Sequence, residues 1–260
     1  MIRETGNLLV SNLQRPAMWP EVMRFFVQRA LRLIGCDSEE TNSEMRRLSE
    51  MWCAERAFTN DEAFAKLGIG NHFGFLEKEA LDQAKKRSLR CPLRMGGAGN
   101  LELIYNVCES VVANNVVETG VAYGWSSFLI LLSLQKRPHA RLFSVDQPYL
   151  RFANDKWVGI VVPPELRGQW TLYKMPDRKG VVRAIRDAKI VDLVHYDSDK
   201  TYKGRMRSYP LLWNALRKGG VFISDDIGDN PAFHDFCRIV DREPIVVRYE
   251  NKYQGVIIKD

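Results

Sequence analysis

Residues 116–127, Val-Val-Glu-Thr-Gly-Val-Ala-Tyr-Gly-Trp-Ser-Ser, constrain this chain more than any other stretch. Two valines lead into Glu118, glycines stand at 120 and 124, and an apolar run from Phe128 to Leu134 follows at helical length. That order reads as strand, tight turn, helix. An adenosine-containing ligand can approach bare backbone at such a turn, because the N–H groups of the helix start point outward and no Cβ intervenes.

Around this unit, strands and helices alternate from residue 100 onward. Leu101–Ala113 reads as an amphipathic helix. Strands are expected at 115–118, 140–145, 170–174, 190–196, 220–224, 245–249 and 253–258. Helices are expected at 125–135, 181–188, 202–217 (interrupted near Pro210) and 231–240. Alternation of this kind predicts a parallel sheet with helices on both faces. Only Glu250, Asn251 and Lys252 separate the last two strands, too short a link for a crossover helix, so the final strand must run antiparallel to its neighbour. The expected fold is α/β: a doubly wound, Rossmann-like, seven-stranded, mostly parallel sheet with an antiparallel last strand.

Residues 1–98 lack that alternation and read as helical. Val22, Phe25, Phe26, Ala30, Leu31 and Ile34 share one face of a helix over 21–34. A second helix over 41–58 would turn Met45, Leu48, Met51 and Trp52 inward, and shorter ones fit 61–67 and 76–84. The expected division is a helical cap or dimerisation arm over 1–98 and a ligand-binding domain over 99–260, joined by a basic, glycine-containing linker at 85–100. A homodimer through the arm is one arrangement open to such a chain.

Composition bounds the rest. The chain has 260 residues, 45% hydrophobic and 27% charged, as an ordinary globular protein does. The N-terminus has no signal-peptide pattern, and no apolar run is long enough to span a bilayer. The five cysteines, at 36, 53, 91, 108 and 237, follow no metal-site or disulfide spacing, so a reduced, cytoplasmic setting is expected. A net charge of +6 reads as a solvated basic face. The basic stretch near 85–94 has no interleaved aromatics, and no nucleic-acid partner is expected.

Four candidate sites fall at the carboxyl ends of strands, where ligands bind in open α/β sheets. Glu118, Gly120, Ala122, Tyr123, Gly124 and Ser126 belong to the first turn. Asp146 ends the next strand and is placed to accept ribose hydroxyls. Asp197 heads Asp-Ser-Asp-Lys-Thr-Tyr, and Asp225 with Asp226 ends a later strand. Carboxylates clustered at a sheet edge repel unless something positive lies among them. A hard divalent cation such as Mg²⁺ meets that need. Helix capping by the same aspartates is the alternative. His195 reads as a packed core histidine, and His234, which follows the Asp225-Asp226 turn, as a candidate to face the acceptor. The 149–162 segment reads as a lid or an edge cover.

With these residues in place, the chain resembles the class I S-adenosylmethionine-dependent methyltransferases over residues 100–260. The Glu118-x-Gly120-x-x-x-Gly124 turn, Asp146 and the closing antiparallel pair carry that resemblance. Residues 191–202 and 216–226 are similar to the metal-dependent O-methyltransferase branch, which includes catechol-type and sugar-modifying enzymes. The resemblance implies S-adenosylmethionine bound by the turn, Asp146 and Asp197. It implies a divalent cation, Mg²⁺ or another, held by Asp197, Asp225 and Asp226, and a small-molecule or sugar hydroxyl as acceptor. It also makes Lys200 a candidate general base beside Asp197. Sugar-type members carry histidine at that position and glycine where Ser198 stands, whereas catechol-type members carry lysine. The alternatives are an NAD-type oxidoreductase, which the missing Gly-x-Gly-x-x-Gly and the antiparallel finish oppose, and a non-catalytic binding protein, which the acidic cluster opposes.

Overall fold

Valine pairs set the architecture. In the strand around Val116 and Val117, successive side chains point to opposite faces, so both faces must be covered. The computed structural model describes residues 12, 15, 18–33, 39–75, 78–150 and 154–260. Among the described residues, eight strands form one sheet: β1 (Ala57–Phe58), β2 (Asn115–Thr119), β3 (Arg141–Asp146), β4 (Trp170–Lys174), β5 (Val191–Tyr196), β6 (Leu216–Ser224), β7 (Ile245–Tyr249) and β8 (Lys252–Ile258). Their order across the sheet is β1-β7-β8-β6-β5-β2-β3-β4. All neighbours pair parallel except β8, which runs antiparallel to both β6 and β7. The seven expected strands are present. The eighth, β1, comes from the N-terminal region and pairs Ala57 and Phe58 with Val246 and Val247.

The described helices are α1 (Trp19–Leu33), α2 (Glu39–Ala54), α3 (Asn60–Leu67), α4 (Lys78–Ser88), α5 (Leu101–Ser110), α6 (Trp125–Leu134), α7 (Asp177–Ala188), α8 (Tyr202–Ala215) and α9 (Ala232–Ile239). One sheet face buries Val116, Leu142, Leu193 and Ile223 against Leu103, Ile104 and Val107 of α5 and Phe128 and Leu129 of α6. The other buries Val117, Val145, Val194 and Phe222 against Val181 of α7, Tyr209 and Leu212 of α8, and Phe233 and Phe236 of α9. This alternation is the period of two expected of strands. α6 is apolar along nearly its whole length because its surroundings bury it on most sides.

Three local expectations change. The helix read over 41–58 stops at Ala54, and the two residues that would have ended it become β1. Its inward face is Ser49 and Cys53, with Trp52 half-buried, while Leu48 and Met51 are exposed; the buried stripe is rotated from the predicted one. Pro210 does not interrupt α8, because Tyr209, Leu212 and Trp213 anchor the helix in the core and outweigh the lost backbone donor. In the first helix, Val22 is buried and Phe25 and Phe26 half-buried as read, but Ala30 is exposed; the side chains of Leu31 and Ile34 lie outside the described residues, as does Leu76.

Strand order then selects the location of the site. β2 connects outward to β3 on one side, and its other neighbour is β5, reached only after a crossover. A crevice opens at such a reversal, beyond the carboxyl ends of the strands. Among the described residues, no helix is long and apolar enough to cross a membrane. Cys53, Cys91, Cys108 and Cys237 are free thiols, and Cys36 lies outside the described residues.

Candidate active site

The turn after β2 is held by groups from the ends of β3 and β5. Gly120 has φ +79°, and a Cβ built there would lie 2.1 Å from the carbonyl oxygen of Asp197. The glycine is therefore required by the close approach of β5, a protein contact as much as a ligand contact. Ala122 is also left-handed, at φ +48°. Asp146 fixes this turn: its Oδ1 accepts the N–H groups of Val121 at 2.8 Å and Ala122 at 3.2 Å. Burial raises the Asp146 carboxyl above its ordinary pKa despite those two donors.

Glu118 lies beneath the turn, fully buried. Its carboxylate accepts the hydroxyls of Ser126 at 2.6 Å, Ser127 at 2.5 Å and Ser144 at 2.7 Å. His195 Nδ1 is 3.7 Å from Glu118, too far for a hydrogen bond, and neither ring nitrogen has a partner among the described residues. Burial opposes charge on His195, but Glu118 outweighs it and the pKa is raised. The histidine is packed in the core, as expected, and it also forms part of the cavity wall.

A cavity of about 690 Å³ opens over these strand ends. Gly120, Ala122, Ser126, Asp146, Asp197, Lys200, Asp225 and Asp226 all line it. Glu118, Tyr123 and Gly124 stand behind its wall. Tyr123 donates its hydroxyl to the Leu93 carbonyl at 2.6 Å and so tethers the linker. Gly124 packs against Gly159, where an added Cβ would come within 2.9 Å of the Gly159 Cα.

Asp197, Asp225 and Asp226 converge at the far end of the cavity, with one oxygen from each within 4.8 Å of the others. Lys200 lies among them. Its Nζ bonds to Asp197 Oδ1 and reaches Asp226 Oδ2 at 2.8 Å, while Lys252 Nζ meets the other Asp226 oxygen, also at 2.8 Å. Burial disfavours the Lys200 ammonium, but the three carboxylates overcome that and hold its pKa above the ordinary lysine value. Burial and the neighbouring Asp197 push the Asp225 carboxyl up to about 6. Burial acts on Asp226 too, yet Lys200 and Lys252 outweigh it and lower its pKa. As it stands the cluster is an ion-pair network with Lys200 protonated at its centre.

The remaining sequence candidates divide. His234 packs on Trp52 at 4.8 Å, in a separate surface groove. Of the 149–162 segment, Tyr149, Leu150 and Asn154 line the cavity, while the N–H groups of Gly159 and Val161 donate to the carbonyls of Ala122 and Tyr123. Phe152 lies outside the described residues. Several wall residues had no sequence signal. Glu21, Arg24 and Phe25 of α1 close one side, with Glu21 paired to Arg178. Gly97, Ala98 and Gly99 of the linker line another part. Asp177, bonded by the Ser198 hydroxyl, is raised to about 6 by burial. A register pattern reveals none of the α1 and linker residues; Asp177, in the Met175-Pro176-Asp177 stretch that follows β4, and Lys252, which opens β8, were within reach.

Residues 117–227 match the family model described as a methyltransferase domain. No curated protein matches the chain. Among solved structures, the fold is similar to the O-methyltransferase from Bacillus cereus in complex with SAH, at 11% identity and TM-score 0.54, covering 71% of this chain and 92% of that one. It is also similar to the O-methyltransferase TomG from Streptomyces achromogenes, involved in tomaymycin synthesis, in complex with SAM. There the identity is 16% and the TM-score 0.54, over 76% of this chain and 94% of that one.

Proposed function

We propose that this chain, whose core is a class I S-adenosylmethionine-dependent methyltransferase domain, moves the sulfonium methyl group to a hydroxyl of a small molecule or sugar. The observation that carries the reading is one cavity lined by Gly120, Asp146, Asp197, Lys200 and Asp225, residues at the ends of four neighbouring strands. In this reading the turn with Gly120, Ala122 and Ser126 faces the amino-acid end of the cofactor. Asp146 accepts from the ribose, and Glu118, Tyr123 and Gly124 hold the turn from behind. Residues 1–98 act as a cap, supported by Glu21, Arg24 and Phe25 in the cavity wall. A cytoplasmic setting accords with the free thiols.

The acidic cluster has the donor chemistry of a hard-cation site: three carboxylates, all oxygen, closely convergent. Asp197, Asp225 and Asp226 would hold such a cation, with Lys200 drawn aside. Bound there, a divalent cation supplies Lewis acidity and orientation to an acceptor hydroxyl. Lys200 works as a base only when unprotonated, and its present partners favour the ammonium. Weakening its hold on Asp197 and Asp226 lowers its pKa, and the freed amine then takes the hydroxyl proton. The remaining requirement is alignment of acceptor oxygen, methyl carbon and sulfur, which the cavity walls provide.

Calorimetry with S-adenosylmethionine and with NAD, each with and without Mg²⁺, tests the reading. Binding of S-adenosylmethionine is expected, and binding of NAD alone overturns the proposal. Alanine at Asp225 is expected to abolish methyl transfer in an acceptor screen while cofactor binding persists.

A further inference from the structure

The turn that ends β6 depends on a buried side chain outside the cavity. Arg205, in the first turn of α8, is fully closed to solvent. Its Nη2 donates to the carbonyl oxygens of Asp225 at 3.2 Å and Asp226 at 2.8 Å. Its Nε and Nη1 have no hydrogen-bond partner among the described residues, and the Asp229 carboxylate stands 3.9 Å away. A buried cation so sparsely paired is costly, and an apolar side chain of similar length fills such a space with less desolvation. An apolar chain cannot hold two successive carbonyls.

Those carbonyls belong to two of the three converging aspartates. Asp226 sits at φ +50° and ψ +39°, a left-handed conformation that residues with a Cβ keep only when their surroundings enforce it. Its carbonyl accepts Arg205 and the Asp229 N–H at 3.1 Å, and its own N–H donates to Asp225 Oδ1 at 2.9 Å. One turn further along α8, the Tyr209 hydroxyl bonds Ser224 Oγ at 2.6 Å. Arg205 and Tyr209 together lock α8 onto the end of β6.

We propose that Arg205 is a positioning residue for the acidic cluster, holding Asp226 left-handed so that the Asp225 and Asp226 carboxylates meet Asp197 and Lys200 at the cavity. What the cluster binds rests on the proposed function; the positioning itself does not. The test uses the full chain as Arg205→Met, which removes the donors, and Arg205→Lys, which keeps the charge with a shorter reach. Crystal structures report the Asp226 backbone, and calorimetry reports the affinities for MnCl₂ and for S-adenosylhomocysteine.

In Arg205→Met, Asp226 is expected to leave its left-handed conformation and part from Lys200. The Mn²⁺ Kd is expected to rise at least about tenfold, as outer partners of metal ligands do, while the S-adenosylhomocysteine Kd stays within about twofold. Arg205→Lys is expected to fall between parent and Arg205→Met, and it takes the same measurements if Arg205→Met does not fold. An Asp226 still left-handed and touching Lys200 in Arg205→Met overturns the proposal. Equal loss of both affinities also overturns it, since that reports general loosening. A parent protein that binds no Mn²⁺ removes the metal reading instead, and the Asp226 backbone then decides the positioning alone.

Discussion

At Gly120 a single hydrogen in place of a side chain lets two strand ends meet. A methyl group there collides with the Asp197 carbonyl and adds the strain of φ +79°. Gly120→Ala is expected to destabilise the fold by about 2 kcal/mol and to weaken S-adenosylhomocysteine binding, because β2 and β5 must part. Urea denaturation with calorimetry checks this; an unchanged midpoint and Kd would show that the turn tolerates a Cβ. Asp177 supplies the pH dependence. Folding raises its carboxyl to about 6, chiefly by burial. A raised carboxyl favours the fold while protonated, so its contribution is complete below about pH 4 and is lost as pH climbs through about 6. One edge of the group faces the cavity, so solvent screens it and the effect is about 1 kcal/mol. Asp177→Asn is expected to be more stable than the parent by that amount near pH 7.5 and to converge with it near pH 4. A stability difference that does not change with pH would contradict this.

At the scale of elements, α1 shows how a segment without a motif joins a site. Its amphipathic pattern was plain, with Val22 buried and Phe25 and Phe26 half-buried. Where that face docks was not, because the contact is made by residues more than a hundred positions away. Glu21 pairs with Arg178 beyond β4, so α1 forms a wall over the cavity. Glu21→Ala is expected to speed S-adenosylhomocysteine release several-fold in stopped-flow experiments, while stability changes by less than about 1 kcal/mol, as for a partly exposed pair. An unchanged release rate would remove α1 from the ligand's path. β1 teaches the same lesson in reverse. Ala57 and Phe58 read as a helix end because propensity alone speaks for two residues; the open edge of β7 decides otherwise.

Across the whole molecule, the overall charge and the site charge differ in sign. The chain carries +6, yet the cavity gathers Asp146, Asp177, Asp197, Asp199, Asp225 and Asp226. An acidic cavity suits a sulfonium cation and a divalent metal, and net charge gave no hint of it. Thermal unfolding tests the metal directly. Mg²⁺ at about a hundred times its Kd is expected to stabilise the parent by about 2.7 kcal/mol and to leave Asp197→Ala unmoved. The absence of any shift in the parent would sink the cation reading.

By itself the sequence determined the αβ alternation, the antiparallel finish and the four strand-end positions. These follow from local periods, turn residues and link lengths, which lie within a few residues of one another. Asp146, Asp197, Asp225 and Asp226 were legible for the same reason: a carboxylate after a strand is a local pattern. Only the tertiary structure decided what each one touches. Glu118 is spent on three serine hydroxyls, Lys200, read as a candidate base, is held by Asp197 and Asp226, and Arg205 holds the turn from inside the core. Such contacts join residues distant in the chain, and the packing that brings them together leaves no periodic trace in the order of amino acids.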